Sequence, residues 1–336
     1  MGTECKNDDA ARAAAAGGGS IGVVLLNLGT PETEEQIPGF IYRLLSDPYV
    51  MPLPWPFRQG LAAFISRMRS KKVTEHYRAI GTRSPLSSLT RAQVKALRGE
   101  LGNGFVVRYA FRHSTPYAVE VLGSLAQEGV HRVIGLPAYP HYSRSTTASA
   151  VKDLGAASCI TGVKLGLVNS YAGEPGYIEA LAQLTIPLLT PDSHVIFSAH
   201  GLPLKAIKDG DPYLSEVATS VAVLSERLPT GTKYSLAFQS RVGRMKWTGP
   251  NLLDETERLA REGVRSLVVV PISFVCENLE TLYELDIELA GFARERGIEN
   301  FRRVPTVGCH PAFIAELARL VRAAVKKEGW EVTDGN

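Results

Sequence analysis

One histidine and three glutamates of this 336-residue chain sit where residue type and spacing could support acid–base or metal chemistry. His200 closes a short apolar run (195–198) and is followed by Gly201 and Pro203. A strand that ends in a polar turn presents its last side chain at the mouth of a parallel sheet, where α/β folds bind ligands, and a neighbouring glycine leaves the ring room. An imidazole with a pKa near ~6.5 can accept a proton at neutral pH or ligate a metal, although a structural histidine fits the same place. Glu280, Glu284 and Glu288 follow a second apolar run (266–270) at i, i+4 and i+8. Each step of four advances about 40° around a helix, so the three carboxylates would share a face. No Lys or Arg stands between them to neutralise them, and like charges at this spacing oppose helix formation. Two explanations fit: a solvated acidic face, or a track of oxygen ligands that attracts a divalent cation.

Other polar groups also follow apolar runs. Arg112 and His113 follow 105–109, Tyr139, His141, Tyr142 and Ser143 follow 133–136, and Gln239, Ser240 and Arg241 follow 234–238. If those runs are parallel strands, their carboxyl ends can converge, and an arginine there is suited to a substrate carboxylate.

The elements that must position these groups alternate along the chain. Short β-rich runs (21–28, 105–109, 133–136, 164–168, 195–198, 234–238, 266–270) are separated by helical patterns at 90–101, 118–128, 177–188, 252–262 and 280–296, with a last amphipathic helix at about 311–326. That alternation predicts an α/β protein of two similar Rossmann-like halves, each a doubly wound parallel sheet, with a cleft between them. The expected division is a disordered tail at 1–20, a first half at 21–172 and a second half at 173–330 that includes the C-terminal helix. The segment DPYVMPLPWPF (47–57) breaks the rhythm with four prolines, which disfavour helix and sheet alike. Its apolar load, Met51, Leu53, Trp55 and Phe57, suits a loop packed on the core or an apolar lip (47–69) over the cleft or against a membrane.

Composition removes several classes. Lys plus Arg is 37 against 34 Asp plus Glu, a formal charge of +3 with no long basic run, so nucleic acid is not an expected partner. The longest uncharged apolar stretches fall far below the roughly 18 residues of a membrane span. The four cysteines form no C-x-x-C pair, which suggests neither a disulfide framework nor a structural zinc site and points to the cytoplasm.

Seven segments carry a resemblance: LLNLGTP (25–31), YRAIGTRSPL (77–86), LPAYPHYS (136–143), FSAHGLP (197–203), GDPY (210–213), QSRVG (239–243) with Trp247, and ETLYELD (280–286). Together and in this order the chain resembles the ferrochelatases, a lyase family of haem (porphyrin) biosynthesis, from about residue 22 to 322. The resemblance implies a metal chelatase that inserts Fe2+ into protoporphyrin IX. His200 matches the family's active-site histidine, a metal ligand or proton acceptor, and Glu280 the glutamate facing it across the macrocycle. Glu284 and Glu288 match an acidic track for iron or protons, and Arg112, Tyr139 and the lip residue Met51 are expected to contact the porphyrin. No organic cofactor is implied. Iron is a substrate, and because no cysteine follows Cys309 no 2Fe–2S cluster is expected. The expected location is cytoplasmic and peripheral to a membrane, with contact through the lip. Three departures stand out. Asn278 replaces the histidine many members carry two positions before the helix glutamate, His113 replaces a frequent tyrosine, and Leu28 stands where coproporphyrin-using members often have tyrosine, which favours protoporphyrin. The alternatives are a porphyrin- or haem-binding protein without catalysis, and a chelatase for another tetrapyrrole and metal.

Overall fold

A computed structural model of the chain describes residues 19–241, 243 and 245–332; the tail expected at 1–20 therefore lies almost wholly outside the described residues. Eight strands are described: β1 (Ile21–Asn27), β2 (Phe105–Phe111), β3 (Arg132–Pro137), β4 (Lys164–Leu167), β5 (Ser193–His200), β6 (Lys233–Gln239), β7 (Ser266–Pro271) and β8 (Asn300–Arg303). The α-helices are α1 (Ile37–Leu45), α2 (Trp55–Ala79), α3 (Leu86–Leu101), α4 (Ala118–Gln127), α5 (Ser149–Thr161), α6 (Pro175–Thr185), α7 (Leu204–Lys208), α8 (Tyr213–Ser225), α9 (Leu252–Arg261), α10 (Ala290–Glu295) and α11 (Pro311–Lys327).

The strands form two four-stranded parallel sheets of matching topology, β2-β1-β3-β4 and β6-β5-β7-β8. β1 and β5 are therefore the strands flanked on both sides where the winding reverses, and the crevice beyond their carboxyl ends is where doubly wound sheets bind ligands. Both are buried on two faces, which is why they read as continuous apolar runs rather than alternating ones. β8, with the sequence NFRR, is a short edge strand too polar for that pattern.

Alternation along β1 divides two cores. Val24 and Leu26 face α4 and α5 through Leu122 and Leu154, whereas Ile21, Val23 and Leu25 join Val195, Phe197 and Ala199 of β5 in one cluster. The two sheets thus share an apolar core, with Phe313 of α11 packed against Tyr171 and Tyr177. α11 also packs on α3 and α6.

Two elements differ from expectation. The proline-rich segment is irregular only to Pro54, and α2 begins at Trp55 with Pro56 in its first turn. The first-turn N–H groups of a helix have no internal partner, so a proline there costs no hydrogen bond. Residues 280–289 are wound as a π-helix that runs on into α10, rather than as one α-helix. Its hydrogen bonds span five residues, a geometry rare in general and frequent at functional sites.

Candidate functional site

His200 is the last residue of β5, half-buried, and pairs in register with Gln239 at the end of β6. Its Nδ1 lies 2.7 Å from the Gly201 carbonyl oxygen. A carbonyl only accepts, so Nδ1 carries the hydrogen, and in the neutral ring the lone pair is on Nε2. That nitrogen is the one free to take a proton or bind a metal. Phe274, in the turn after β7, meets the ring edge to face at 6.4 Å.

Gln239 connects this strand pair to the acidic helix. Its amide oxygen accepts from Ser198 Oγ at 2.8 Å, which directs its nitrogen at Glu284 Oε2 (3.1 Å) and the Glu280 carbonyl (3.3 Å). Ser240 Oγ donates to the same Glu284 oxygen at 2.6 Å. Ser240 holds φ at +65°, left-handed backbone that a non-glycine residue rarely adopts. This strained residue sits on a carboxylate of the site, as such residues tend to.

The three glutamates differ by position. Burial and then the neighbouring Glu280 charge raise the Glu284 carboxyl above its usual range, against the lowering pull of Ser240, His200 and Gln239. Glu288 is raised in turn by burial and by Glu284, with Lys72 opposing. Glu280 and Glu284 are half-buried and Glu288 is exposed, so the row runs outward from the interior to solvent. The π-helix widens the turn, and residues four apart still share its face. Tyr77, at the end of α2, borders this row: its hydroxyl is 3.0 Å from Thr30 Oγ1, and burial with the Glu280 charge disfavours its phenolate.

The start of the π-helix is clamped on both sides. Asn278 Oδ1 accepts from the Thr281 N–H at 2.9 Å while the Asn278 N–H donates to Thr281 Oγ1 at 3.0 Å, a reciprocal cap. Asn278 therefore has a structural task of its own. Arg303 reaches Glu277 at 2.6 Å and Asp286 at 2.6 and 2.8 Å, tying the segment to β8. Among the described residues no group of three or more His, Cys, Asp and Glu side chains is gathered around one point to hold a metal.

The remaining candidates lie elsewhere. Arg112 is engaged within the first half, with Asp47 at 3.0 Å, Ser149 Oγ at 2.8 Å and Asp153 at 3.7 Å. His113 is buried beside it, and burial, then the Arg112 charge, push its imidazole down to about 4. Tyr139 has a buried hydroxyl without a hydrogen-bond partner, and burial raises it while Arg112 opposes. Met51 is half-buried in the segment leading to α2. On α2 an apolar row faces outward at helical spacing: Phe57 (71% exposed), Leu61, Phe64 (61%) and Met68 (67%), next to Trp55 (69%). A groove of about 640 Å³ separates α1 from α2, lined in part by Tyr42, Phe64 and Arg67. No helix among the described residues is long and apolar enough to cross a membrane.

Gln239 and Ser240 were legible in the sequence as polar residues at a strand end. Their hold on Glu284, and Tyr77 beside Glu280, were not, because the partners come from distant segments.

Known structures share this architecture. SirB from Bacillus subtilis with Fe3+ superposes with a TM-score of 0.59 at 12% identity, covering 94% of this chain and 100% of that one. The sirohydrochlorin chelatase SirB from Bacillus subtilis subspecies spizizenii in complex with cobalt gives 0.54 at 11%, covering 94% and 100%. The fold is a two-lobed α/β architecture of the kind seen in these chelatase structures. By sequence, the Ferrochelatase family model matches residues 20–325. The Ferrochelatase of Geotalea daltonii is 41% identical over 315 residues (91% of this chain, 98% of that protein), and that of Trichodesmium erythraeum 39% over 328 (94% and 85%). The chain belongs to the ferrochelatase family. It is an enzyme, a metal chelatase of the lyase class, that inserts ferrous iron into a porphyrin in haem biosynthesis.

Proposed function

We propose that His200 Nε2, with its one lone pair, accepts a pyrrole proton or meets the incoming iron, that Glu280 faces it across the macrocycle, and that Glu284 and Glu288 carry protons to solvent. The observation that carries this reading is the Gln239 bridge, which joins the strand end bearing His200 to both Glu280 and Glu284. Insertion must remove two N–H protons from a flat ring and place a cation among four nitrogens. A cleft that favours a bent macrocycle tips those hydrogens and lone pairs out of plane and stabilises the transition state over the ground state. His200 supplies a base whose tautomer is set by Gly201. The raised Glu284 carboxyl can hold a proton where an ordinary carboxylate would not, and Glu288 releases it at the surface. The macrocycle's own nitrogens complete the iron's ligand set, which is why His200 and Glu280 need no preassembled partners.

The substrate in this reading is protoporphyrin IX, supported by Leu28 in place of tyrosine at the first strand end. Met51, Arg112 and Tyr139 bound the porphyrin on the side of the first half, residues 21–172, with 173–330 as the second. The outward row on α2 supports peripheral contact of a cytoplasmic protein with a membrane, its basic neighbours Arg67, Arg69, Lys71 and Lys72 suiting anionic headgroups. No organic cofactor or 2Fe–2S cluster enters the scheme, and nucleic acid is no partner in it. The test is iron insertion by purified protein with protoporphyrin and with coproporphyrin, beside His200→Ala. Turnover by the native protein and none by a folded variant is expected; tight porphyrin binding without turnover in either would favour a carrier.

A further inference from the structure

Two sides of the molecule hold the acidic row, and they come from different halves. In the second half, Gln239 and Ser240 at the end of β6 bond the Glu284 carboxylate, and Gln239 also reaches the Glu280 carbonyl. In the first half the contact is made by α2. The imidazole of His76 lies on the ring of Tyr283, with centroids 3.7 Å apart and planes 12° from parallel. Four residues before Tyr283, Leu279 packs against the small apolar cluster of Ile37, Ile41, Tyr77 and Val73 on α1 and α2. Leu279 and Tyr283 are spaced i, i+4, so they present one face of their segment to α2. Glu280 and Glu284 each come one residue later, roughly a quarter turn further round.

α2 is itself fixed where it makes these contacts. The Tyr77 hydroxyl is 3.0 Å from Thr30 Oγ1, just beyond β1, and Arg78 pairs with Glu34 at 2.7 Å. His76 and Tyr283 are both half-buried. Burial, then Lys72 and Arg69, lower the His76 imidazole while Glu75 opposes, so at neutral pH the ring is uncharged and offers the phenol a flat face. The two carboxylates differ in what directs them. Glu284 has side-chain donors, whereas among the described residues no side chain donates to the Glu280 carboxylate. The direction of Glu280 is therefore set by the backbone on which it stands. Gln239 holds that backbone through the carbonyl, and α2 holds it through Leu279 and Tyr283.

We propose that His76 and Tyr283 are positioning residues for the acidic row: their stacked rings join the α1–α2 hairpin of the first half to the segment 280–289 and set the direction of the Glu280 carboxylate, while β6 fixes Glu284 from the other side. This rests on the reading of Glu280 and Glu284 as groups that act on the substrate. A reacting group directed by its backbone alone moves with any shift of its helix, and a misplacement of about 1 Å can cost on the order of 100-fold in rate. The hairpin that bears the apolar lip thus also completes the geometry of the carboxylates.

Steady-state iron insertion by the full chain tests it, with kcat, porphyrin KM and thermal midpoint measured for Tyr283→Leu, Tyr283→Phe, His76→Ala, His76→Phe and Glu280→Gln, and for Tyr283→Leu combined with His76→Ala. Tyr283→Leu and His76→Ala are each expected to lower kcat about tenfold or more, with porphyrin KM within about twofold. Tyr283→Phe and His76→Phe keep a ring on each side of the contact and should restore kcat. Because both residues act through one contact, the double variant should lose no more than the worse single one. A lower melting point with unchanged kcat would make the stack a contact of the fold only, and overturns the proposal. Ring-retaining variants no better than ringless ones, or losses that multiply in the double variant, overturn it too. If Tyr283→Leu does not fold, the His76 pair decides, and equal kcat in its Ala and Phe variants overturns the proposal. Native-like turnover by Glu280→Gln is a different failure, because it removes the reading of the acidic row on which the proposal stands.

Discussion

Replacing Glu284 by Gln separates a proton carrier from a structural carboxylate. The substitution is nearly isosteric, and the amide oxygen can occupy the place of Oε2, keeping the bonds from Ser240 (2.6 Å) and Gln239 (3.1 Å). What it removes is the charge. Two hydrogen bonds to a carboxylate are worth about 1.5–3 kcal/mol each against roughly 0.5–1.5 for neutral ones, so the variant gives up some of that. The wild-type carboxyl is nevertheless raised, so burial and the Glu280 charge together outweigh both bonds and the pull of His200. The ionised form is therefore disfavoured by the fold as a whole. A folded pKa above the unfolded one means a contribution to stability that is full below the unfolded pKa and lost as pH rises through the folded value. Glu284→Gln should hence melt at or above the wild type at pH 8, with the advantage vanishing at acid pH, where Glu284 is already protonated. Activity should move the other way. A group that relays a proton next to the reacting centre accounts for about 10–100-fold in rate, or about 1.4–2.7 kcal/mol of barrier. The assay is initial-rate iron insertion from pH 6 to 8 beside thermal melts over the same range. Native kcat throughout would return Glu284 to a structural role, and a melting point below wild type at pH 8 would refute the charge argument itself.

Along the same row, Glu280→Gln should cost more catalysis than Glu284→Gln and Glu288→Gln least, with porphyrin affinity little changed; a fluorescence titration beside an iron-saturation curve reads both. Asn278→Ala should destabilise by about 1 kcal/mol, because it removes the cap on Thr281, measured by denaturant unfolding; an unchanged midpoint would show the cap to be idle. His113, held down to about 4, should make the protein lose stability as pH falls from about 6.5 to 4, by about 3 kcal/mol in all, and His113→Gln should flatten that slope in pH-dependent melts. Phe57→Ser with Phe64→Ser should weaken binding to anionic vesicles at least about tenfold, since burying each ring is worth about 1.5–3 kcal/mol, while leaving the melting point in place; equal binding would discard the lip as a membrane contact.

What this chain's sequence determined by itself is local. Unbroken apolar runs such as 21–27 are short-range consequences of burial on two faces, and they specify parallel strands, their order along the chain and His200 at the end of one. The four-residue spacing of Glu280, Glu284 and Glu288 likewise placed them on a common face, whichever helix winds there. Proline content misdirected the reading at α2, because a proline breaks a helix or begins one according to its position in the turn. Only the tertiary structure decided which charges are free. Arg112 reads as available for a substrate carboxylate, yet Asp47 and Ser149, from segments remote in sequence, engage it. Glu284 reads as a helix surface group, yet the end of β6 takes hold of it. The tautomer of His141 depends on Ser220 and Ser273 meeting it in one buried place. The strain, hydrogen-bond and charge balances at such a site are properties of who meets whom across the two sheets. A period of two or four residues records which face is buried, and it does not record the partner.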